Sequence, residues 1–179
     1  GGGKLTLNSN IDLSTTSFSI NSDATNGTGT FVDSDITGKT INATVQQYLP
    51  QGRNWYVGIP VTTGNHLAAS NLTSAGAASV SYYDEPSSSW INNYTGTLLQ
   101  GVGYIAVSTP TDGTATNNVS FSGTLNTGDV QVLLTRKGTA KAGFNLIANP
   151  YPSYLNAMAA INANANIEKL AKSAITIIN

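Results

Sequence analysis

Residues 142–154, AGFNLIANPYPSY, change the character of the chain within thirteen positions. Phe144, Leu146 and Ala148 alternate with Asn145, Ile147 and Asn149. That period of two predicts a short strand over 144–148, buried on one face and partly covered on the other. Pro150 and Pro152 end it, since neither can donate to a sheet ladder and each biases the residue before it toward extended backbone. Ser153 then stands where a helix cap belongs. Beyond it Leu155, Met158, Ile161 or Asn162, Ala165, and later Leu170, Ala174 and Ile175 recur near helical spacing. The chain closes on ITIIN, an apolar ending that suggests a further continuation or a strand paired with something else.

Everything before this stretch reads as β. Apolar alternation predicts strands at 44–49, 54–59, 80–83, 90–94, 98–108, 119–121 and 130–135, separated by turn residues such as Pro50 to Gly52, Pro60, Asp84 to Ser89 and Asp112-Gly113. Gly101 and Gly103 interrupt the longest of them, where a bulge or a close backbone approach is expected. Closely spaced short strands without βαβ alternation indicate an antiparallel sandwich of jelly-roll type. In residues 4–45 the bursts are shorter, and Leu5, Phe18 and Phe31 fall thirteen apart, as do Leu7 and Ile20. Two readings of that spacing stay open. It fits stacked rungs of a β-solenoid, and it fits ordinary hairpins around Asn26-Gly27 and Gly38. The expected organisation is a β-repeat lead-in over 1–43, a β-sandwich over 44–154 and a helical segment over 155–179.

Composition narrows the chemistry. In 179 residues, eight Lys and Arg stand against nine Asp and Glu, and charged residues make up 9% of the chain. Soluble domains usually carry roughly 25%. Such a chain lacks the clustered cations that displace counterions from a phosphate backbone, so nucleic acid is not an expected partner. No apolar run approaches the ~18 residues of a membrane helix, and membrane insertion is not expected. Zero Cys removes thiolate and disulfide chemistry. The opening GGGKLTLNSN has neither an initiator Met nor the regions of a signal peptide. The expectation is a fragment of a longer exported polypeptide, or else a tag-trimmed complete protein.

Four phrases in order, TVQQYLPQGRNWYVGIPV, LLQGVGYIAVS, VSFSGTLNTGDVQVLLT and AGFNLIANPYPSYLN, carry a family resemblance over about residues 41–168. Together the chain resembles the β-rich region that lies upstream of the type IX secretion sorting domain in large Bacteroidetes surface and secreted proteins. The resemblance implies an extracellular or cell-surface β module without assigned catalysis. It departs from that pattern after NANANIEK, where LAKSAITIIN replaces the usual aromatic strand.

Catalytic machinery is sparse. His66 is the single histidine, and neither Ser70, Ser74 nor Asp84 sits in a nucleophile elbow around it. Asp84 and Glu85 read as turn residues ahead of Pro86, because neighbours on a strand point to opposite faces and cannot flank one glycosidic bond. No catalytic residue is assigned. Asp33, Asp35 and Asp23 could offer oxygens to calcium, although the twelve-residue calcium loop is absent. Among the aromatics, Trp55 and Tyr104 are expected in the core. Trp90 follows three serines and is the expected exposed ring, with Tyr94 and Tyr83 as partners in a sugar-stacking platform. The leading reading is therefore a non-enzymatic extracellular structural or adhesion module, with a surface glycan or a protein as partner. Two alternatives are a carbohydrate-binding module of a larger glycan-degrading protein and a hydrolase fragment.

Overall fold

A computed structural model of the chain describes residues 4–7, 18–33, 40–50, 53–62, 80–107, 118–140 and 142–163; of Lys4–Leu7, Asp33 and Val107 it describes the backbone alone. Across the described residues the fold is all-β and sandwich-like, with one short helix. Strands β1 (Lys4–Leu7) and β5 (Thr30–Asp33) pair in parallel, Leu5 opposite Phe31. Strands β2 (Phe18–Ile20) and β6 (Asn42–Tyr48) also pair in parallel, Phe18 opposite Ala43 and Ile20 opposite Val45. Each partner thus lies two thirteen-residue steps further along the chain, to within a residue. One step carries the chain from one sheet to the other, and the next brings it back beside its starting strand, as in a solenoid rung. The rings of Phe18 and Phe31, one from each sheet, meet with centroids 5.3 Å apart.

A small hairpin stands at Asn26-Gly27, while Gly38, the other turn of the hairpin reading, lies outside the described residues. Strands β3 (Ser22–Asp23) and β4 (Gly27–Thr28) pair antiparallel around Asn26-Gly27. Asp23 Oδ1 accepts from the N–H groups of Thr25 and Asn26 at 2.8 and 2.7 Å, an Asx-type closure of the turn.

Strand β6 continues through the boundary expected at residue 43. Its far edge pairs antiparallel with β11 (Asn118–Thr124) along its whole length, from Asn118 opposite Tyr48 to Thr124 opposite Asn42. The lead-in therefore shares a strand with the sandwich. Ile20, Phe31, Ala43 and Val45 belong to the same buried cluster as Val57, Val80, Tyr104 and Phe121. On the outward side of this sheet polar groups pair with each other. Thr44 and Ser122 hydroxyls lie 2.9 Å apart, and Thr124 Oγ1 donates to Asn42 Oδ1 at 3.0 Å.

A further sheet has four strands in the order β7 (Asn54–Val57), β10 (Tyr104–Val107), β8 (Val80–Asp84) and β9 (Ser89–Ile91), all antiparallel to their neighbours. The expected strand at 98–108 is shorter than its apolar run. Gly101 has φ of 71° and Val102 N–H donates to Leu99 C=O at 3.3 Å, so the chain turns before β10 begins. The expected strand at 130–135 forms no ladder. There the Asn145 side chain takes the place of a neighbouring strand: its Oδ1 accepts from Thr135 N–H at 3.1 Å and its Nδ2 donates to Thr135 C=O at 2.9 Å.

The segment 142–154 is a clasp more than a strand. Among the described residues its one β pairing is an isolated bridge between Ile147 and Val102. Gly103 N–H donates to Leu146 C=O at 3.0 Å, Ala148 N–H donates to Gly101 C=O at 2.9 Å, and Phe31 N–H donates to Pro152 C=O at 2.8 Å. The proline carbonyls thus accept where the proline nitrogens cannot donate. Phe144 is exposed while Leu146 and Ala148 are half-buried and Pro150 is buried, so the predicted alternation begins one step late. Contact here is close: a Cβ on Gly58 would fall 2.6 Å from Ala148 Cβ and 2.9 Å from Asn149 O. Gly58→Ala should cost about 1–3 kcal/mol through this overpacking, read as a lower urea midpoint with an unchanged slope. A midpoint equal to the parent would show that the clasp yields freely.

Helix α1 (Ala157–Asn162) starts later than expected. Asn156, not Ser153, is its cap, its Oδ1 accepting from Ala159 N–H at 3.0 Å. Ser153 instead offers its carbonyl to Asn149 Nδ2 at 2.6 Å. The later helical pattern, from Ala165 to Ile175, lies outside the described residues.

Candidate binding face

Residues directly opposite in antiparallel strands share a face, so the registers sort the side chains of the four-stranded sheet. One row runs Val57, Tyr104 and, across the next register position, Trp55, Ala106 and Val80. Apart from half-buried Trp55 these are buried and face the core. Trp55 is held at the margin by its Nε1, which donates to Pro50 C=O at 2.8 Å, and by the Arg53 guanidinium 3.8 Å above its ring.

The opposite face carries Tyr56 opposite Ile105, Ile105 opposite Ser81, and Tyr83 opposite Trp90. Tyr56 is 45% exposed and Trp90 42% exposed. They stand on the two edge strands of the sheet, with Ile105, Ser81 and Tyr83 between them. Asn92 continues beyond β9 and accepts from Ser81 Oγ at 2.9 Å. Tyr83 and Trp90 meet edge to face, centroids 5.6 Å apart and planes at 68°.

Tyr94 does not join them. It packs on Tyr82 at 5.0 Å and stacks with Tyr104 at 6.3 Å, and Tyr82 points away from Tyr83 because successive strand residues alternate. Its hydroxyl donates to Thr97 C=O at 2.8 Å. Tyr104 beneath it accepts from Leu99 N–H at 2.8 Å, and burial pushes its hydroxyl up to about 12. The structure thus keeps Trp90 and Tyr83 as neighbours, removes Tyr94 to the inner cluster, and adds Tyr56. Period-two patterning shows that Trp55 and Tyr56 face opposite ways; which of them faces solvent depends on pairing with β10.

Glu85, read from sequence as a turn residue, is buried and organises the end of this face. Its carboxylate accepts from Lys137 N–H at 2.9 Å, Gly138 N–H at 2.9 Å and Gly143 N–H at 2.8 Å. Burial by itself would raise the carboxyl. The N–H groups of Lys137, Gly143 and Gly138, with the Thr135 hydroxyl, outweigh it and hold the group at about 2. Ser88 adds a second tie, its Oγ donating to Ala140 C=O at 2.6 Å. The β8–β9 turn is thereby fixed to segment 135–143, and with it the hairpin that presents Tyr83 and Trp90.

Of the proposed calcium oxygens, those of Asp23 alone fall among the described residues. Asp23 is engaged by its own turn, and hydrogen bonds from the Asn26 side chain, Asn26 N–H and Thr25 N–H hold its carboxyl below the usual range. The side chains of Asp33 and Asp35 lie outside the described residues, as do His66, Ser70 and Ser74. Among the described residues no group of three or more His, Cys, Asp or Glu side chains converges, and no helix is long and apolar enough to cross a membrane.

Comparison with protein families finds one match, over residues 1–176, to the profile described as Domain of unknown function (DUF8693). No curated protein and no solved structure matches the chain.

Proposed function

We propose that this chain, which belongs to the DUF8693 family of domains of unknown function, is a non-enzymatic adhesion module that works outside the cell. The observation that carries the reading is the outward face of the four-stranded sheet, where Tyr56 and Trp90 remain exposed on opposite edges of a rigid scaffold. Exposed rings on a fixed sheet are binding elements more readily than packing elements. Glu85 supports the non-catalytic part: this buried carboxylate is committed to backbone N–H groups and held near 2, far from the range in which a general acid works at neutral pH. The likeness of four separated phrases to Bacteroidetes surface modules supports the location.

Two measurements test this. Antibody raised to the chain should label intact source cells, and labelling that appears only after lysis would overturn the extracellular location. Purified chain on beads should retain polysaccharide or protein from the cell exterior without altering it. Turnover of a glycoside, ester or peptide substrate by the chain would overturn the non-enzymatic reading.

A further inference from the structure

The geometry points to a single neutral glycan chain as the ligand of the outward face, lying across the strands from Tyr56 to Trp90. This rests on the adhesion reading and names its ligand class. The two rings stand three strand spacings apart, ~14 Å at ~4.8 Å per strand, and are offset by the two residues from Ser81 to Tyr83, ~7 Å along the strands, a span that accommodates several sugar rings. An aromatic ring offers an apolar surface to the C–H face of a sugar. Asn92, oriented by Ser81 at 2.9 Å, offers an amide that both donates and accepts, matching a hydroxyl.

Charge selects the class of partner. The outward side chains Tyr56, Ile105, Ser81, Tyr83, Trp90 and Asn92 include no Asp, Glu, Lys, Arg or His. A polyanion or an anionic membrane surface would find no cation among them to neutralise it. A neutral polyhydroxyl chain needs none. Ring geometry selects its form. Tyr83 meets Trp90 at 68°, so the rings make a stepped surface that suits one chain free to turn and not the flat face of a crystalline polymer. The sheet of β2, β6 and β11 is a poorer competitor, because the Thr44–Ser122 and Thr124–Asn42 pairs on its outward side already bond to each other.

The test is affinity electrophoresis and calorimetry of the chain with dextran, laminarin, mannan and xyloglucan, beside alginate, heparin and microcrystalline cellulose. At least one soluble neutral glycan should bind, with little dependence on salt. Trp90→Ala and Tyr56→Ala should each weaken it about tenfold, while Tyr154→Ala, which removes a ring 89% exposed elsewhere, should leave it unchanged. Thermal unfolding of each variant separates lost binding from lost fold. Binding that survives both ring substitutions in folded protein would overturn the face. Retention of alginate, heparin, cellulose or a protein in place of every soluble neutral glycan would overturn the ligand class and leave adhesion standing. Retention of nothing, including cell-exterior material, would overturn both.

Discussion

Asn126→Ala should lower stability by about 2–6 kcal/mol, because two buried carbonyls each lose a donor and an unsatisfied buried group costs about 1–3 kcal/mol. Asn126 is 2% exposed and follows β11 at the point where three segments converge. Its Nδ2 donates to Ile59 C=O at 3.0 Å and to Pro150 C=O at 2.7 Å, and its own N–H donates to Pro60 C=O at 2.9 Å. One amide therefore joins the exit of β7, the exit of β11 and the first proline of the clasp. Its Oδ1 is buried without a partner, so the side chain is retained in spite of one unmade hydrogen bond. Alanine relieves that defect but creates two others, and the balance is unfavourable. Against the roughly 5–15 kcal/mol of a typical domain, the loss is a large fraction of the whole.

Asn126→Asp separates hydrogen bonding from packing at the same position. It keeps the shape but turns acceptor oxygens toward two acceptors, so at pH 7 it should be at least as destabilising as alanine. Lowering the pH should restore part of the loss, since a protonated carboxyl can donate to one of the carbonyls. Urea unfolding of the two variants beside the parent decides the matter. A midpoint shift for Asn126→Ala equivalent to less than about 0.5 kcal/mol, the range of an ordinary surface change, would show that the clasp does not depend on this amide.

Sequence patterning reached the β class and the thirteen-residue period because both depend on side-chain alternation within one strand. It could not choose between rungs and hairpins, since Phe31 is compatible with either until Leu5 lies beside it in parallel. The strand expected at 130–135 fails for a related reason. Its alternation is sound, but the ladder partner it would need is supplied by the side chain of Asn145, ten residues away. Residues 142–154 were legible as a turning point, whereas their role as acceptors for Phe31, Gly103 and Asn126 depends on groups far along the chain. Trp90 announced itself by its polar surroundings. Tyr94 turned out to face the core and Tyr56 solvent, because exposure on a sheet is set by which face meets the core, and that is decided by neighbouring strands.

Glu85 is the residue whose local sequence misleads most, and Glu85→Gln should produce the most diagnostic pH profile. Its donors come from residues 52 to 58 positions away, so an Asp-Glu-Pro turn conceals the contact. The carboxyl is held at about 2 in the folded chain against an ordinary value of 4.5. Between those values the unfolded chain binds more protons than the folded one, so stability rises with pH across that interval. The contribution is present in full above about pH 5 and is lost as pH falls toward 2. Gln at this position does not titrate, and its one oxygen faces three N–H donors while its NH2 has no acceptor among them. The parent should therefore exceed Glu85→Gln most at pH 7, and the gap should narrow steadily from pH 5 downward. The Asp23 contribution, also lowered, is common to both chains and cancels in the difference. Amide exchange at Lys137, Gly138 and Gly143 should quicken in the variant ahead of global unfolding, because those three N–H groups are left with one uncharged oxygen in place of a carboxylate while the core strands lose nothing. A gap independent of pH would mean that the carboxylate's charge contributes nothing and that Glu85 acts through shape alone. The expected result ties the β8–β9 hairpin, and so the position of Trp90, to one anion held by backbone N–H groups.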